Sequence, residues 1–195
     1  MLLYKNINMQ VIIAFISIII FSQICNAKTG KETGLEIPRY ISLKSNDANI
    51  RVGPSKNYPI EIKYIKKNYP LKILEEYEDW RKVEDFQKNF GWIHKSLISG
   101  TRTGIVLSND NKTKRLLNTL NGNVIGEIGK GNIVFLKKCK IDMCLVSFGD
   151  YRGWIDKKNI WGIKEKEIFN ISFFQRFEDL YWKSVNSLNK IQKGF

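Results

Sequence analysis

The stretch Gly-Trp-Ile-His at residues 91–94 recurs as Gly-Trp-Ile-Asp at residues 153–156, 62 positions later (153 − 91). Each copy follows short segments in which apolar and polar residues alternate, with a polar turn just before the glycine. Such alternation is typical of half-buried β-strands. A recurring unit of about 60 residues indicates two tandem small domains instead of one large enzyme core. Small all-β modules that occur in pairs usually bind other molecules and rarely carry out chemistry.

Strand and turn signals place the two units at residues 38–100 and 101–163. In the first unit, six short strands separated by turns such as Gly53-Pro54 predict a small antiparallel barrel. The second unit repeats this plan with other residue types. We expect Arg115 to stand where Arg51 stands in the first unit, and Cys144 to lie near the position of Trp80.

The N-terminal residues 1–27 have the layout of a secretory signal peptide. A polar start is followed by an apolar run from Val11 to Phe21 and by small residues before a cleavage site after Ala27. The run is short for a membrane-spanning helix, which needs about 20 residues. An uncleaved anchor stays open, and a lipoprotein attached through Cys25 is a weaker alternative. We therefore expect a periplasmic or secreted protein that meets the membrane only before cleavage.

Cleavage would leave Cys139 and Cys144, an even pair in an exported chain. The four residues between them have the length of a hairpin loop, so we predict a disulfide across neighbouring strands. A metal site is the competing interpretation, but the sequence offers no second Cys or His pair to complete a tetrahedral site. We therefore expect no metal and no cofactor.

The formal net charge of +13 favours anionic partners such as cell-wall polymer or lipid head groups. The basic residues are scattered along the chain and do not form one stripe, which argues against nucleic acid. Lys, Asn and Ile are frequent throughout, so part of the charge reflects a general compositional bias.

The period of the apolar residues changes after Trp161, in the predicted tail, residues 164–195. Apolar residues at spacings of three and four predict an amphipathic helix from about residue 172 to 190. Its opposite face carries mixed charge, whereas a membrane-surface helix is usually more purely basic. We expect this helix to pack on the barrels or on a second copy of the chain, which leaves oligomerisation open. Residues 28–37 are polar and read as a flexible linker.

Several segments of the first unit resemble the bacterial SH3-like domain family. The leading run is Asn49-Ile50-Arg51-Val52-Gly53-Pro54-Ser55, followed by Tyr58-Pro59, Asp79-Trp80 and Gly91-Trp92-Ile93. The resemblance covers residues 38–99 well and the second unit only in outline. It implies an all-β protein of two tandem SH3-like barrels, each with five or six strands. It also implies an exported module without catalytic residues that binds peptides or cell-wall components.

Enzymatic chemistry has little support in the residues themselves. The chain has one histidine, His94, and no local partner for a nucleophile and base. His94 reads as a partly exposed strand residue, with a place in the ligand surface as the alternative. The carboxylates of residues 75–79 read as a solvated hairpin turn, or as a contact loop for a basic peptide. We expect no catalytic residues.

The candidate ligand-binding residues lie in the first unit. Trp92 and Ile93 point to opposite faces of a strand, and Ile93 is the more natural core residue, so Trp92 is a candidate surface shelf. Arg51 faces away from its apolar neighbours and could meet an anionic ligand or pair with the acidic turn. The full set of candidates is Arg51, Tyr58, Trp80, Trp92 and His94.

Two functions from different classes remain. The first is a non-catalytic module of the cell envelope that recognises cell-wall polymer, namely peptidoglycan, or a peptide or protein partner, with the ligand surface on the first unit. The second is a structural or assembly protein that oligomerises or docks a partner through its barrels and C-terminal helix.

Overall fold

The structure is a computed structural model that describes residues 28–109 and 112–170. The predicted signal peptide and the predicted helix at residues 172–190 lie outside the described residues. Within them, the only helical segments are two 3₁₀ turns, at Lys95–Leu97 and Lys157–Asn159. No helix in this part of the chain is long and apolar enough to cross a membrane.

The protein is all-β, as predicted, and consists of two antiparallel seven-stranded sheets with the same topology. The strands of the first sheet are β1 (Arg39–Leu43), β2 (Ala48–Arg51), β3 (Ile60–Tyr64), β4 (Pro70–Tyr77), β5 (Trp80–Glu84), β6 (Phe90–His94) and β7 (Ile98–Ser99). Those of the second are β8 (Thr103–Val106), β9 (Lys114–Leu117), β10 (Val124–Ile128), β11 (Ile133–Cys139), β12 (Met143–Phe148), β13 (Tyr151–Asp156) and β14 (Ile160–Trp161). The strand order is β3-β2-β6-β5-β4-β1-β7 in the first sheet and β10-β9-β13-β12-β11-β8-β14 in the second.

The expectation of closed barrels with five or six strands needs correction. No backbone pairing among the described residues joins β3 to β7, or β10 to β14, so each sheet keeps two edges. The extra strand in each unit is only two residues long and pairs with the first strand after a 3₁₀ turn. Two residues are too few to show an alternation of apolar and polar side chains, so the sequence pattern does not predict this strand.

The repeated Gly-Trp-Ile stretch places one residue in the core and one outside, as expected from strand alternation. Ile93 and Ile155 are buried in two separate cores, whereas Trp92 and Trp154 are half-buried on the outer face. The glycine before each tryptophan lies close to a crossing strand. A Cβ atom on Gly91 would stand 2.9 Å from the Arg51 carbonyl oxygen, so the position favours a residue without a side chain.

The two units align residue by residue through matching bulges. The register shifts after Ile73 in β4 and after Leu136 in β11. Consequently the cross-strand pair Glu76–Arg81 in the first unit has the same register position as Cys139–Cys144 in the second.

The predicted disulfide between Cys139 and Cys144 is present, and both residues are fully buried. It joins β11 to β12 beside their hairpin turn. The backbone of Cys139 also exchanges two hydrogen bonds with that of Phe169, which ties the segment after β14 to the sheet. Residues 164–170, which we assigned to a helical tail, form a turn of their own and then the bridge to Cys139. The Glu167 N–H donates to the Lys164 carbonyl oxygen at 3.0 Å, and Phe169 bridges to Cys139 of β11.

Residues 28–37, expected to be a flexible linker, pack on the first sheet. Thr29 and Glu36 form an antiparallel bridge, and Ile37 is buried in the core of the first unit. The buried carboxylate of Glu76 accepts hydrogen bonds from the backbone N–H of Thr33 at 2.9 Å and from its hydroxyl at 2.8 Å. The segment is held because its backbone donors satisfy a carboxylate that would otherwise be buried without partners.

The Glu76 carboxylate also pairs with Arg39, at 2.6 Å between Oε1 and a guanidinium nitrogen. Burial alone would raise the pKa of Glu76. The hydrogen bonds from Arg39 and Thr33 and the charge of Arg39 outweigh burial and lower this pKa to about 2.

The two units also contact each other. The rings of Tyr40 and Trp161 meet edge to face with centroids 5.2 Å apart. The Thr103 hydroxyl donates to the Asn68 carbonyl oxygen at 2.8 Å.

We expect the disulfide to contribute about 2 kcal/mol to the free energy of unfolding, because the ring that it closes is short. The variant Cys139→Ala/Cys144→Ala should lose this amount in urea titrations, and wild type measured with reductant should match it. An unchanged free energy of unfolding under reductant would contradict a structural role for this bond.

We expect the variant Glu76→Gln to reveal an acid-dependent contribution from Glu76. The pKa is lowered in the folded state, so the stabilisation is full above the ordinary value of 4.5 and is lost as the pH falls towards 2. The difference in the free energy of unfolding between wild type and variant should therefore shrink by about 3 kcal/mol between pH 6 and pH 2. A difference independent of pH would contradict the lowered pKa.

Candidate functional site

A cleft of about 340 Å³ opens on the first unit where three segments meet. The loop after β2 contributes Pro54, Ser55 and Lys56, the β4–β5 turn contributes Glu78 and Asp79, and β5 and β6 contribute Trp80 and His94. Two of the five predicted ligand-binding residues, Trp80 and His94, therefore line one cleft. Their rings meet edge to face with centroids 5.4 Å apart.

Arg51 and Tyr58 do not line the cleft but shape the loop that does. The Arg51 guanidinium donates to the Tyr58 carbonyl oxygen at 2.7 Å, which closes the loop at its base. The Tyr58 ring lies over Gly53, where a Cβ atom would stand only 2.7 Å from the ring carbons. These contacts fix the backbone that carries Pro54 and Ser55, so the two predicted ligand contacts act here as supports.

The acidic turn is held from below by Arg81, which is 4 % exposed. One guanidinium nitrogen donates to the carbonyl oxygens of Glu78 at 2.7 Å and Trp80 at 2.8 Å. Glu78 has a φ of 47°, a left-handed conformation that a non-glycine residue rarely adopts. Charge-assisted hydrogen bonds to both sides of the turn stabilise this conformation.

The two carboxylates of the turn differ in their partners. Asp79 pairs with Lys95 at 2.7 Å, and this hydrogen bond lowers the pKa of Asp79. For Glu78, no side-chain hydrogen bond or ion pair occurs with any other residue in the part of the chain that the structure describes. Of the two carboxylates at the cleft, Glu78 is the one open to a ligand.

His94 faces the cleft in one preferred tautomer. Its Nδ1 atom accepts a hydrogen bond from the Ser96 backbone N–H, at 3.3 Å. The neutral ring therefore carries its proton on Nε2, which lies 3.7 Å from a carboxylate oxygen of Asp79. The ring thus presents a donor at the cleft and could hydrogen-bond a carbonyl or carboxylate oxygen.

Trp92, the fifth predicted residue, lies outside the cleft. It stands between Arg51 and Lys82 in a cross-strand row on the outer face of the sheet. The row continues to Ile60 on one side and to Glu75, which pairs with Lys82 at 3.0 Å, on the other. Trp92 therefore lies half-buried on the outer face of the sheet, and it is not part of the same depression as Trp80.

The second unit differs at the matching positions. Met143 replaces Trp80, and Asp156 replaces His94. Cys144 lies near the position of Trp80, as expected, and aligns with the next residue, Arg81.

The expected match of Arg115 to Arg51 was wrong. The residue opposite Trp154 is Leu117, as Arg51 is opposite Trp92. Matching the arginines by type shifted the alignment by two residues, whereas the burial of Leu116 and Ile50 gives the correct register.

The second unit has its own, larger groove of about 730 Å³. Its turn residues Ile141 and Asp142 correspond to Glu78 and Asp79, but its lining combines four isoleucines with six charged residues. The lining residues are Ile141, Asp142, Asp156, Lys157, Lys158, Ile160, Ile163, Glu165, Lys166 and Ile168. The two units therefore do not offer the same chemistry.

The arrangement in the first unit suits non-covalent recognition. In residues 28–109 and 112–170, no three His, Cys, Asp or Glu side chains are grouped so that they could hold a metal ion. The cleft is lined by two carboxylates, the Lys56 ammonium group, an imidazole donor, a hydroxyl and an indole ring, and its polar groups can hydrogen-bond a polar ligand. Sequence reasoning missed Arg81 as a support. Its signal is a charged residue at an inward position of β5, between the buried Trp80 and Val83.

Comparisons with known proteins give one family. Residues 44–100 match the family model described as "Bacterial SH3 domain". This match spans the cleft and all five predicted ligand-binding residues, and residues 101–163 lie outside it. None of the curated proteins matches this chain significantly.

Similar solved structures include an NlpC/P60 family protein from Bacillus cereus, with 9 % sequence identity over 63 % of this chain and 55 % of that one. NlpC2 and NlpC1 from Trichomonas vaginalis have identities of 12 % over 73 % of this chain and 13 % over 76 %, and each is covered to 54 %. The chain therefore spans about half the length of these structures. All three TM-scores are 0.29, too low to support an argument about this protein. The family match therefore shows that residues 44–100, less than a third of this chain, are similar to the bacterial SH3 domain family.

Proposed function

We propose that this protein is a non-catalytic binding module of the cell envelope, and that the cleft of its first unit takes a peptide or the peptide part of a cell-wall polymer. The observation that carries the proposal is the cleft itself. It lies within the residues that match the bacterial SH3 domain and gathers Trp80, His94, Glu78 and Ser55 around one opening.

The chemistry of the lining favours a peptide. Glu78 can accept hydrogen bonds from amide or ammonium groups, and the Nε2–H of His94 can donate to a carbonyl oxygen. Trp80 is 8 % exposed, and its indole ring lines the opening. Peptides and peptidoglycan stems present amides, carbonyls and amines in alternation, which such a lining can pair. A strongly anionic polymer would meet the Glu78 carboxylate and suits this opening less well.

An envelope location is part of the proposal. It rests on the signal-peptide layout of residues 1–27 and on the family match of residues 44–100. The disulfide of the second unit agrees with it, because such bonds persist in oxidising compartments. The net charge of +13 would add a general attraction to the anionic cell wall without giving specificity.

We expect Glu78→Gln and His94→Ala each to weaken the binding of the exported protein to isolated peptidoglycan sacculi by about 1 to 3 kcal/mol, because each removes a hydrogen-bonding group from the cleft. Binding would be measured as the sedimented fraction over a concentration series at two salt concentrations. The loss should persist at high salt, since hydrogen bonds in a cleft are screened less than diffuse attraction.

The matched control is Asp156→Ala, which changes the residue of the second unit that corresponds to His94. We expect it to bind sacculi like wild type. Unchanged binding by both cleft variants would contradict the proposal and favour an assembly role for the two units. Equal losses at Asp156 and His94 would contradict the assignment of the ligand to the first unit.

A further inference from the structure

We propose that the packing of residues 28–37 on the first sheet sets the shape of the cleft. The buried pair Glu76–Arg81 lies between this segment and the acidic turn, so the position of the turn depends on whether the segment is docked. The inference rests on the proposed function, since it concerns the shape of the same cleft. It makes Glu76 and Arg81 positioning residues, which do not themselves line the opening.

The first step links the segment to Glu76. The backbone N–H groups of Glu32 and Thr33 donate to one carboxylate oxygen at 3.0 and 2.9 Å. The Thr33 hydroxyl and Arg39 donate to the other oxygen at 2.8 and 2.6 Å. These four hydrogen bonds leave the fully buried carboxylate little freedom, so its position depends on the docked segment.

Gly30 lies directly against the Glu76 carboxylate. A Cβ atom at this position would stand 2.3 Å from the Cδ and Oε2 atoms of Glu76, so an added methyl group would displace the carboxylate. The packing of residues 28–37 and the position of Glu76 are therefore coupled by direct contact as well as by hydrogen bonds.

The second step links Glu76 to the turn. Its Oε1 atom lies 3.5 Å from Nε of Arg81, and Arg81 holds the carbonyl oxygens of Glu78 and Trp80. A guanidinium has donors in a fixed planar fork, so fixing its Nε side orients the nitrogen that reaches the turn. The turn carries Glu78 with its left-handed backbone, so the direction of the Glu78 carboxylate follows from the placement of Arg81.

The second unit shows what a purely structural link at this position looks like. There Cys139 and Cys144 occupy the register of Glu76 and Arg81 and join the two strands covalently, with Cα atoms 4.2 Å apart. A disulfide has no donor that could reach the carbonyl oxygens of a turn. The ion pair of the first unit therefore joins the two strands and also hydrogen-bonds the turn, whereas a disulfide only joins the strands.

This difference provides the test. The variant Glu76→Cys/Arg81→Cys places in the first unit the disulfide that the second unit already holds. We expect it to stay folded at the temperature of the binding assay, because the disulfide joins the two strands and offsets part of the stability lost with the ion pair, and its melting curve is recorded alongside to verify this. Its binding to isolated peptidoglycan sacculi should nevertheless fall about tenfold, because charge-assisted hydrogen bonds to the turn are gone.

A second variant changes no charge and no residue of the pair. Gly30→Ala should displace Glu76 and weaken sacculus binding in the same direction. Gly100→Ala is the matched control, because a Cβ atom there meets nothing within 4 Å and its backbone is not left-handed. We expect this control to bind like wild type.

Hydrogen exchange at the turn, residues 77–80, gives a readout that needs no ligand. We expect faster exchange of these amides in Gly30→Ala and in the double-cysteine variant than in wild type and Gly100→Ala. Unchanged exchange at the turn in Gly30→Ala would overturn the coupling, whatever the binding result. Wild type that fails to bind sacculi would instead overturn the proposed function, while the exchange data would still decide the coupling.

Discussion

The buried carboxylate of Glu76 is the interaction on which the first unit depends most. This carboxylate accepts hydrogen bonds from Arg39 and from the backbone N–H of Thr33 in the N-terminal segment, and it lies beside Arg81. It has no contact with solvent. A carboxylate is costly to bury, and this cost is offset only while every one of these partners is in place. The same requirement that holds the segment against the sheet also fixes Arg81 below the turn of the candidate cleft. Stability and the shape of the cleft therefore share one cluster of groups.

The two units solve the same structural problem in different ways. Both place a cross-strand link beside the hairpin turn, after a bulge at the same position. In the first unit the link is a charged pair whose arginine donates to the carbonyl oxygens of the turn. In the second it is a disulfide, and the backbone of Cys139 also hydrogen-bonds to Phe169 in the chain after β14. The two units thus hold opposite ends of the described chain, one through residues 28–37 and the other through residues 162–170. This difference agrees with the proposal that the ligand surface lies on the first unit.

Much of the fold follows from the sequence, because alternation and turn residues report locally on strands. The Gly-Trp-Ile repeat gave the two units, the inward Ile93 and the outward Trp92, and the cysteine spacing gave the disulfide. The two-residue strands and the open edges could not be predicted, since neither leaves a periodic signal. The docking of residues 28–37 was missed for another reason. Their polar backbone satisfies a distant buried carboxylate, and no local pattern reports such a long-range partner.

The site was predictable in part for the same reason. Trp80 and His94 were expected at the ligand surface and do line one cleft, whereas Arg51 and Tyr58 support the loop beside it. Whether a side chain faces a ligand or braces a loop depends on the crossing of strands far apart in sequence. The two units were aligned by residue type when Arg115 was matched to Arg51, and this match was wrong. The buried positions of the two strands give the correct alignment. Leu116, which is buried like Ile50, sets the register that places Leu117 opposite Trp154.

A titration of the exported protein with soluble peptidoglycan fragments, followed by amide and indole NMR shifts, tests most directly whether the cleft of the first unit holds the ligand. We expect saturable shifts at the cleft, in the loop at residues 54–56, in the turn at residues 78–80 and at His94, and none of comparable size at Met143 or Asp156, the corresponding residues of the second unit. Shifts spread over lysines of both units, or confined to the second unit, would contradict a ligand site in the cleft of the first.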